Sequence, residues 1–504
     1  MEKKKKAGMF NASQRDGVEY RKAGLWEMLI GMANNGANVT FYLMIGFATM
    51  IASEGFAIPM VVTGSLLVGT RILDGLVDPF FAAVFDRFNP KKGKVRIGLV
   101  LGWAITALGL LMMYNWLAGK FEGAMGIAMF LLSYIVFLIG YNVNGISAGT
   151  IGIIITNDPT QRPMTGVVGT MYSYLVPMVL TNLITFVILP RHDNLYNLAM
   201  MRELVTWFII VSLVFVVLAC IGIRKIDVAE TFETIDTETG AVSEEKVSLK
   251  DMLAVLKHNR PLQMYILTGV TDKLAQQTMS QSVVNNLMAG VLIGSYAAST
   301  MVGNVSQIVG LVFAFGSGVF IAKWGAKKAT TVWSWFSIAV SAAVVAICLF
   351  LGGPNGMKAL GVMGVPIVIY AVLTLCRTGA GMALTTAASA MRADVVDYEY
   401  ERSGNYMPAV VSAIYNLTDQ VVSSFGAAIA TFGISLVGYA NSVPQMGDKA
   451  TWPIFWMTMF LMFGMPVLGW ICNIIAMRFY KLDKERMIQV QKTLNERKAA
   501  AEHQ

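Results

Sequence analysis

The chain has 504 residues, 55% of them hydrophobic and 14% charged, with a formal net charge of +8. That balance excludes a soluble domain with a polar surface and places the chain in a bilayer. The basic surplus sits at the ends of apolar runs, where anionic headgroups attract each charge by about 1 kcal/mol, so it indicates membrane-surface anchoring rather than nucleic-acid binding.

Residues 1–23 begin MEKKKKAGMF, with no short apolar core and small-residue cleavage site behind the basic run, and are expected to form a cytoplasmic tail. Apolar runs long enough to cross roughly 30 Å of hydrocarbon then predict twelve helices, because only helix satisfies the backbone there. Their spans are 24–53, 57–86, 95–117, 124–156, 164–190, 203–224, 261–293, 295–322, 328–352, 361–386, 408–438 and 452–478. Residues 24–224 are expected to form one six-helix bundle, 225–260 a cytoplasmic linker, 261–478 a second bundle and 479–504 a cytoplasmic tail. Within the linker, VSLKDMLAVLKH offers Ser248 as an N-cap and apolar residues at helical spacing, a short interfacial helix. Lys and Arg concentrate in the termini and even-numbered loops, which orients both ends to the cytoplasm. The expected fold is an all-α polytopic membrane protein of two pseudo-symmetric bundles, an organisation that resembles the major facilitator fold.

The second span contains RILDGLVDP, in which Arg71, Asp74 and Asp78 stand at i, i+3 and i+7 and project from one helix face. Pro79 frees the carbonyl of Gly75 on the same turn. Two carboxylates, one Arg and a loose carbonyl make an oxygen-rich surface suited to a hard cation, and facing lipid they would cost several kcal/mol. An Arg–Asp pair that locks two helices together is the plainer alternative. Asp86, Arg87, Lys91, Lys92 and Arg96 follow at the cytoplasmic end and read as gating and topology charges.

RILDGLVDP with KKGKVR, together with MRADVVDYEYERSG at 391–404, resembles the glycoside–pentoside–hexuronide:cation symporters, the melibiose-permease-like family of the major facilitator superfamily. The resemblance implies that Asp74 and Asp78 bind a coupling Na⁺, Li⁺ or H⁺. Where a known member carries further acids in its first and fourth helices, this chain has Asn34, Asn35 and Asn38 in GMANNGANVT and Asn142 and Asn144 in GYNVNGIS. Asparagine supplies a carbonyl oxygen without charge, so Asn34, Asn38 and Asn142 join the candidate cation site. A fifth-helix Arg used for sugar in that member has no match here, and NLTDQVV replaces a common eleventh-helix Lys, so galactoside specificity does not carry over.

Sugar recognition needs groups that pair with hydroxyls and aromatic faces for the ring. Tyr141, Tyr172, Lys273, Gln276, Arg377, Asn416, Asp419 and Gln420 lie in predicted helices and are the substrate candidates. Asp272 and Lys273 are neighbours about 100° apart on a helix, so each needs a different partner. Asp394, Asp397 and Arg402 are expected in the loop 387–407, where salt bridges between the halves would close a cytoplasmic gate.

His192, His258 and His503 fall outside the spans and the four cysteines form no close pair, which argues against zinc, haem or Ser-His-Asp chemistry. No P-loop or dinucleotide fingerprint occurs in a strand-to-helix setting. The expectation is a transporter and not an enzyme, without cofactor, that imports a sugar, glycoside or hexuronide with Na⁺ or H⁺ across the plasma membrane. The alternatives are the same fold carrying a different organic solute, for example an amphipathic one, and a non-transporting membrane sensor. The sequence leaves the oligomeric state open, and a monomer suffices for this reading.

Overall fold

The computed structural model describes residues 11–15, 18–71, 93–156, 162–228, 256–403 and 408–502. Asp74, Asp78, Asp86, Arg87, Lys91 and Lys92 lie outside the described residues, as does Ser248 with most of the expected linker helix.

The chain divides into two compact units, Met1–Pro59 with Leu73–Glu244, and Met60–Ile72 with Glu245–Gln504. The first unit starts with a hairpin the apolar-run reading passes over. Strand β1 (Asn11–Arg15) pairs antiparallel with β2 (Val18–Lys22), Arg15 opposite Val18. Asp16-Gly17 between them is the sequence signal for a two-residue hairpin turn.

Helices make up the rest of the first unit. They are α1 (Leu25–Phe56, with a turn at Met32 and Ala33), α3 (Lys94–Trp116), α4 (Gly123–Ile155), α5 (Arg162–Leu183) and α6 (Leu198–Gly222). A wide π-type turn, Ile184–Ile188, carries α5 on to His192. Asn197 caps α6, its Oδ1 accepting from the Met200 amide at 2.8 Å. Helices α3 and α4 pack closely because Gly102 carries no side chain: a Cβ there would stand 2.5 Å from the Asn144 amide nitrogen.

Helix α2 (Met60–Arg71) groups with the second unit, where the Met60 amide donates to Ala440 O at 2.9 Å and Gly64 lies against Ala428 and Thr431. The second unit continues with α7 (Arg260–Met279) and α8 (Ser282–Leu292). The predicted single span 261–293 is thus two helices, broken at Ser280 and Gln281, whose side chains both turn back to Gln277 O. Next come α9 (Tyr296–Trp324), α10 (Ala326–Phe350), α11 (Val365–Ser403), α12 (Pro408–Leu436), α13 (Trp452–Phe479) and α14 (Lys484–Glu502). Gly325, at φ +82°, makes the sharp junction of α9 and α10. Helix α7 packs on α12 and α13, and α11 packs on α9 and α10, around Leu262, Tyr265, Val395, Val411 and Tyr480.

One expectation is corrected here. Residues 387–403 are not loop: α11 continues for 39 residues to Ser403 because Met391, Val395 and Glu399, four apart, bury one stripe of it. The tail 479–504 holds α14, which docks through Val490 and Leu494, both nearly fully buried. Eight of the described helices are long and apolar enough to cross a membrane.

Candidate functional site

In the first unit, Asn34 is fully buried on α1 and donates through Nδ2 to Asn144 Oδ1 on α4 at 2.8 Å. Asn144 in turn donates to Leu99 O on α3 at 3.0 Å, so the two asparagines clasp three helices. Asn34 Oδ1 is left buried without a partner, and so is Asn38 Oδ1 one turn along the same face. These are two of the carbonyl oxygens assigned to the cation site. Asn142 is half-buried on α4, two residues before the clasp.

The aromatic candidates of this unit are tied into its framework. Tyr172 donates to Leu29 O at 2.9 Å and meets Phe215 edge-on, which fastens α5 to α1. Tyr141 stacks on Phe137 with ring centroids 6.1 Å apart. At the start of α3, buried Asp227 accepts from the amides of Val95 and Arg96 at 3.2 and 2.8 Å and from Arg96 Nε at 3.2 Å. Arg96 Nη2 returns to Asp227 O at 3.1 Å, and Gly93, at φ +91°, leaves room where any Cβ would strike Asp227. Arg96 is therefore half of a clasp inside this unit.

In the second unit, α7, α11 and α12 bring polar groups into apolar helices. Asp419 on α12 lies within the field of Lys273 on α7, and its Oδ1 is buried without a hydrogen-bond partner. Arg377 on α11 sits over the Phe463 ring at 5.3 Å and reaches Met279 Sδ at 3.6 Å, and its Nε has no partner. Among the described residues no carboxylate pairs with it. Gln276 and Asn416 are exposed, and Gln420 is half-buried one residue beyond Asp419. Tyr265 and Tyr415 stack between α7 and α12, centroids 5.0 Å apart, with Tyr415 fitting over side-chain-free Gly269.

The gate candidates of α11 bind within the second unit. Asp397 accepts from Gln491 on α14 at 2.6 Å, and the neighbouring Glu401 pairs with Arg486 at 2.7 Å. Arg402 pairs with buried Glu399 at 2.8 Å, and Glu399 also accepts from Asn259, whose Oδ1 caps α7 at the Leu262 amide. Asp394 lines a cleft of about 430 Å³ with Lys484, Gln491 and Lys492 of α14. Outside the spans, burial and the hydrogen bond to Asp448 push the Tyr439 hydroxyl well above its ordinary range, so it remains a donor.

The site expectations leave Asp227, Asn259, Glu399 and the Asp272–Asn473 pair without a role. The signal for the pair was present, since Asn473 is a lone amide in the apolar run ICNIIAM.

A family model described as MFS/sugar transport protein matches residues 24–484. The chain is 22% identical over 463 residues to an isoprimeverose transporter of Lactiplantibacillus pentosus, covering 90% of this chain and 88% of that one. It is 23% identical over 435 residues to a glucuronide carrier protein homolog of Escherichia coli (strain K12), covering 83% and 85%. The crystal structure of a D-xylose-proton symporter shares the fold at TM-score 0.57 and 13% identity, covering 90% of this chain and 97% of that one.

Proposed function

This chain belongs to the MFS/sugar transport protein family, among the glycoside–pentoside–hexuronide symporters, and from that premise we propose that it imports a sugar, glycoside or hexuronide together with Na⁺ or H⁺ by alternating access. The family transports and does not catalyse, so the residues have to bind, release and gate. The observation that carries the reading is the pair of unmatched buried atoms Arg377 Nε and Asp419 Oδ1, one donor and one acceptor inside membrane helices. A buried polar atom left unpaired costs about 1–3 kcal/mol, and a polyhydroxyl solute removes that cost at both because each hydroxyl donates and accepts. Lys273, Gln276, Asn416 and Gln420 add further polar groups on α7 and α12.

Asp74 and Asp78 take the cation, with carbonyl oxygens of Asn34, Asn38 and Asn142 completing its shell. A symporter must avoid closing with cation alone, so cation and solute together favour occlusion more than either does, a coupling of typically 1–3 kcal/mol. Asp86, Arg87, Lys91, Lys92 and Asp394 serve the cytoplasmic gate, whereas Arg96, Asp397 and Arg402 are engaged within their own units. The names of the Escherichia coli relatives, one an inner membrane symporter, support a plasma-membrane location, and the basic even-numbered loops support cytoplasmic termini.

The test is uptake into proteoliposomes by the wild type, Asp74→Asn and Asp78→Asn. Loss of cation-driven accumulation with solute exchange retained in either variant supports the cation site. Full cation coupling in both single variants removes it.

A further inference from the structure

Asp272 and Asn473 form a pair that the solute and cation assignments above do not use. Asp272 lies twelve residues into α7 and is half-buried; Asn473 lies on α13 and is fully buried. Asn473 Nδ2 stands 3.2 Å from Asp272 Oδ1 and 3.1 Å from Oδ2, so one amide group faces both carboxyl oxygens. Asn473 Oδ1, the other polar atom of that amide, is buried with no partner.

An ionised carboxylate accepts only, so it cannot satisfy Asn473 Oδ1. A protonated carboxyl can: its O–H donates to Asn473 Oδ1 while its other oxygen accepts from Asn473 Nδ2. A small turn of the amide, from facing both carboxyl oxygens with Nδ2 to facing one with Nδ2 and the other with Oδ1, gives a cyclic acid–amide pair of two hydrogen bonds. The surroundings favour the same state. No Lys, Arg or His forms an ion pair with Asp272 among the described residues. Lys273, the next residue, acts on Asp419, and Arg392 of α11 acts on Tyr265 and Tyr415. From α12, the field of Tyr415 overlaps that of Asp272; from α13, the uncharged Asn473 and side-chain-free Gly469 stand against it. A lone negative charge at this depth costs several kcal/mol, and a bound proton removes it.

We propose that Asp272 is a proton-binding site, held in its neutral form by Asn473 and exchanging its proton with solvent through its half-open face. It is separate in sequence from the second-helix acids, and it stands whether or not the solute is a sugar.

Infrared difference spectra of the purified full chain, recorded as pH is raised, test this on wild type, Asp272→Asn and Asp272→Glu. The expected result is a carboxylic-acid carbonyl band that is lost as pH rises in the wild type, absent in Asp272→Asn and shifted in Asp272→Glu. Asp272→Asn preserves the shape, since two amides make the same two hydrogen bonds. If that variant nevertheless fails to fold, labelling of the wild type with an apolar carbodiimide, which attacks protonated carboxyls, gives the same information by peptide mapping. Labelling at Asp272 that falls with rising pH supports the site. Identical spectra for wild type and Asp272→Asn, labelling independent of pH, or a signal that answers to Na⁺ at fixed pH and not to pH each overturn it. Failure of sugar uptake with the titrating band intact would refute the solute proposal and leave this one standing.

Discussion

Replacing Asp227 with Ala removes the clasp at the start of α3. The carboxylate caps the Val95 and Arg96 amides and holds the Arg96 guanidinium, and it is fully buried. Loss of a capping side chain costs about 1 kcal/mol. Stranding one partner of a buried ion pair costs roughly 3–5 kcal/mol, but Arg96 keeps 27% of its side chain exposed, so solvent absorbs part of that charge. The sum is about 3 kcal/mol, on the order of a hundredfold in the folded-to-unfolded ratio. Thermal melting of the purified protein should therefore show a clearly lowered midpoint for Asp227→Ala. The double change Arg96→Leu with Asp227→Leu should regain part of the loss, because no charge is then stranded. An Asp227→Ala protein that melts with the wild type would refute the clasp as a stabilising element.

Gly102→Ala should destabilise by about 1–3 kcal/mol, since its Cβ would sit 2.5 Å from the Asn144 amide nitrogen; Gly166→Ala, where a Cβ meets no described residue within 4 Å, should leave the melting midpoint equal or raised. Asn259→Ala should cost about 2 kcal/mol by melting, through loss of the α7 cap and of the donor to buried Glu399. Arg377→Gln should lower solute affinity tenfold or more in equilibrium binding while leaving the melting midpoint equal or raised, because the cation it removes has no carboxylate to strand. A lowered midpoint with unchanged affinity would make Arg377 a structural residue.

The helices were legible because a bilayer leaves the backbone one solution, so the length of each apolar run determines its element. What failed was reading polarity as loop. Residues 391–403 carry six charged residues, yet Met391, Val395 and Glu399 recur every four positions and bury one face, a helical signal the charges obscured. The break at Ser280 and Gln281 was hidden for the opposite reason: apolar residues continue on both sides, and side chains hydrogen-bonding back to Gln277 O mark the interruption, which composition cannot reveal. The candidate site was legible as a set of polar residues in apolar runs, but their partners were not. Tyr172 reaching Leu29 O and Asn34 reaching Asn144 span separations of 143 and 110 residues, distances over which a single sequence carries no pairing information. Asp272 illustrates this most clearly, since its need for a partner was readable and Asn473, 201 residues away, was not.

The most direct measurement of the central claim is solute accumulation in proteoliposomes containing the purified chain, with a Na⁺ or H⁺ gradient imposed and then collapsed. Xylosides, glucuronides and neutral hexosides serve as labelled solutes. Cation-coupled symport predicts saturable uptake of at least one of them above the external concentration, abolished when the gradient is collapsed. Equilibration that never exceeds the external concentration under either gradient would contradict coupling, and binding without flux for every solute would contradict transport itself.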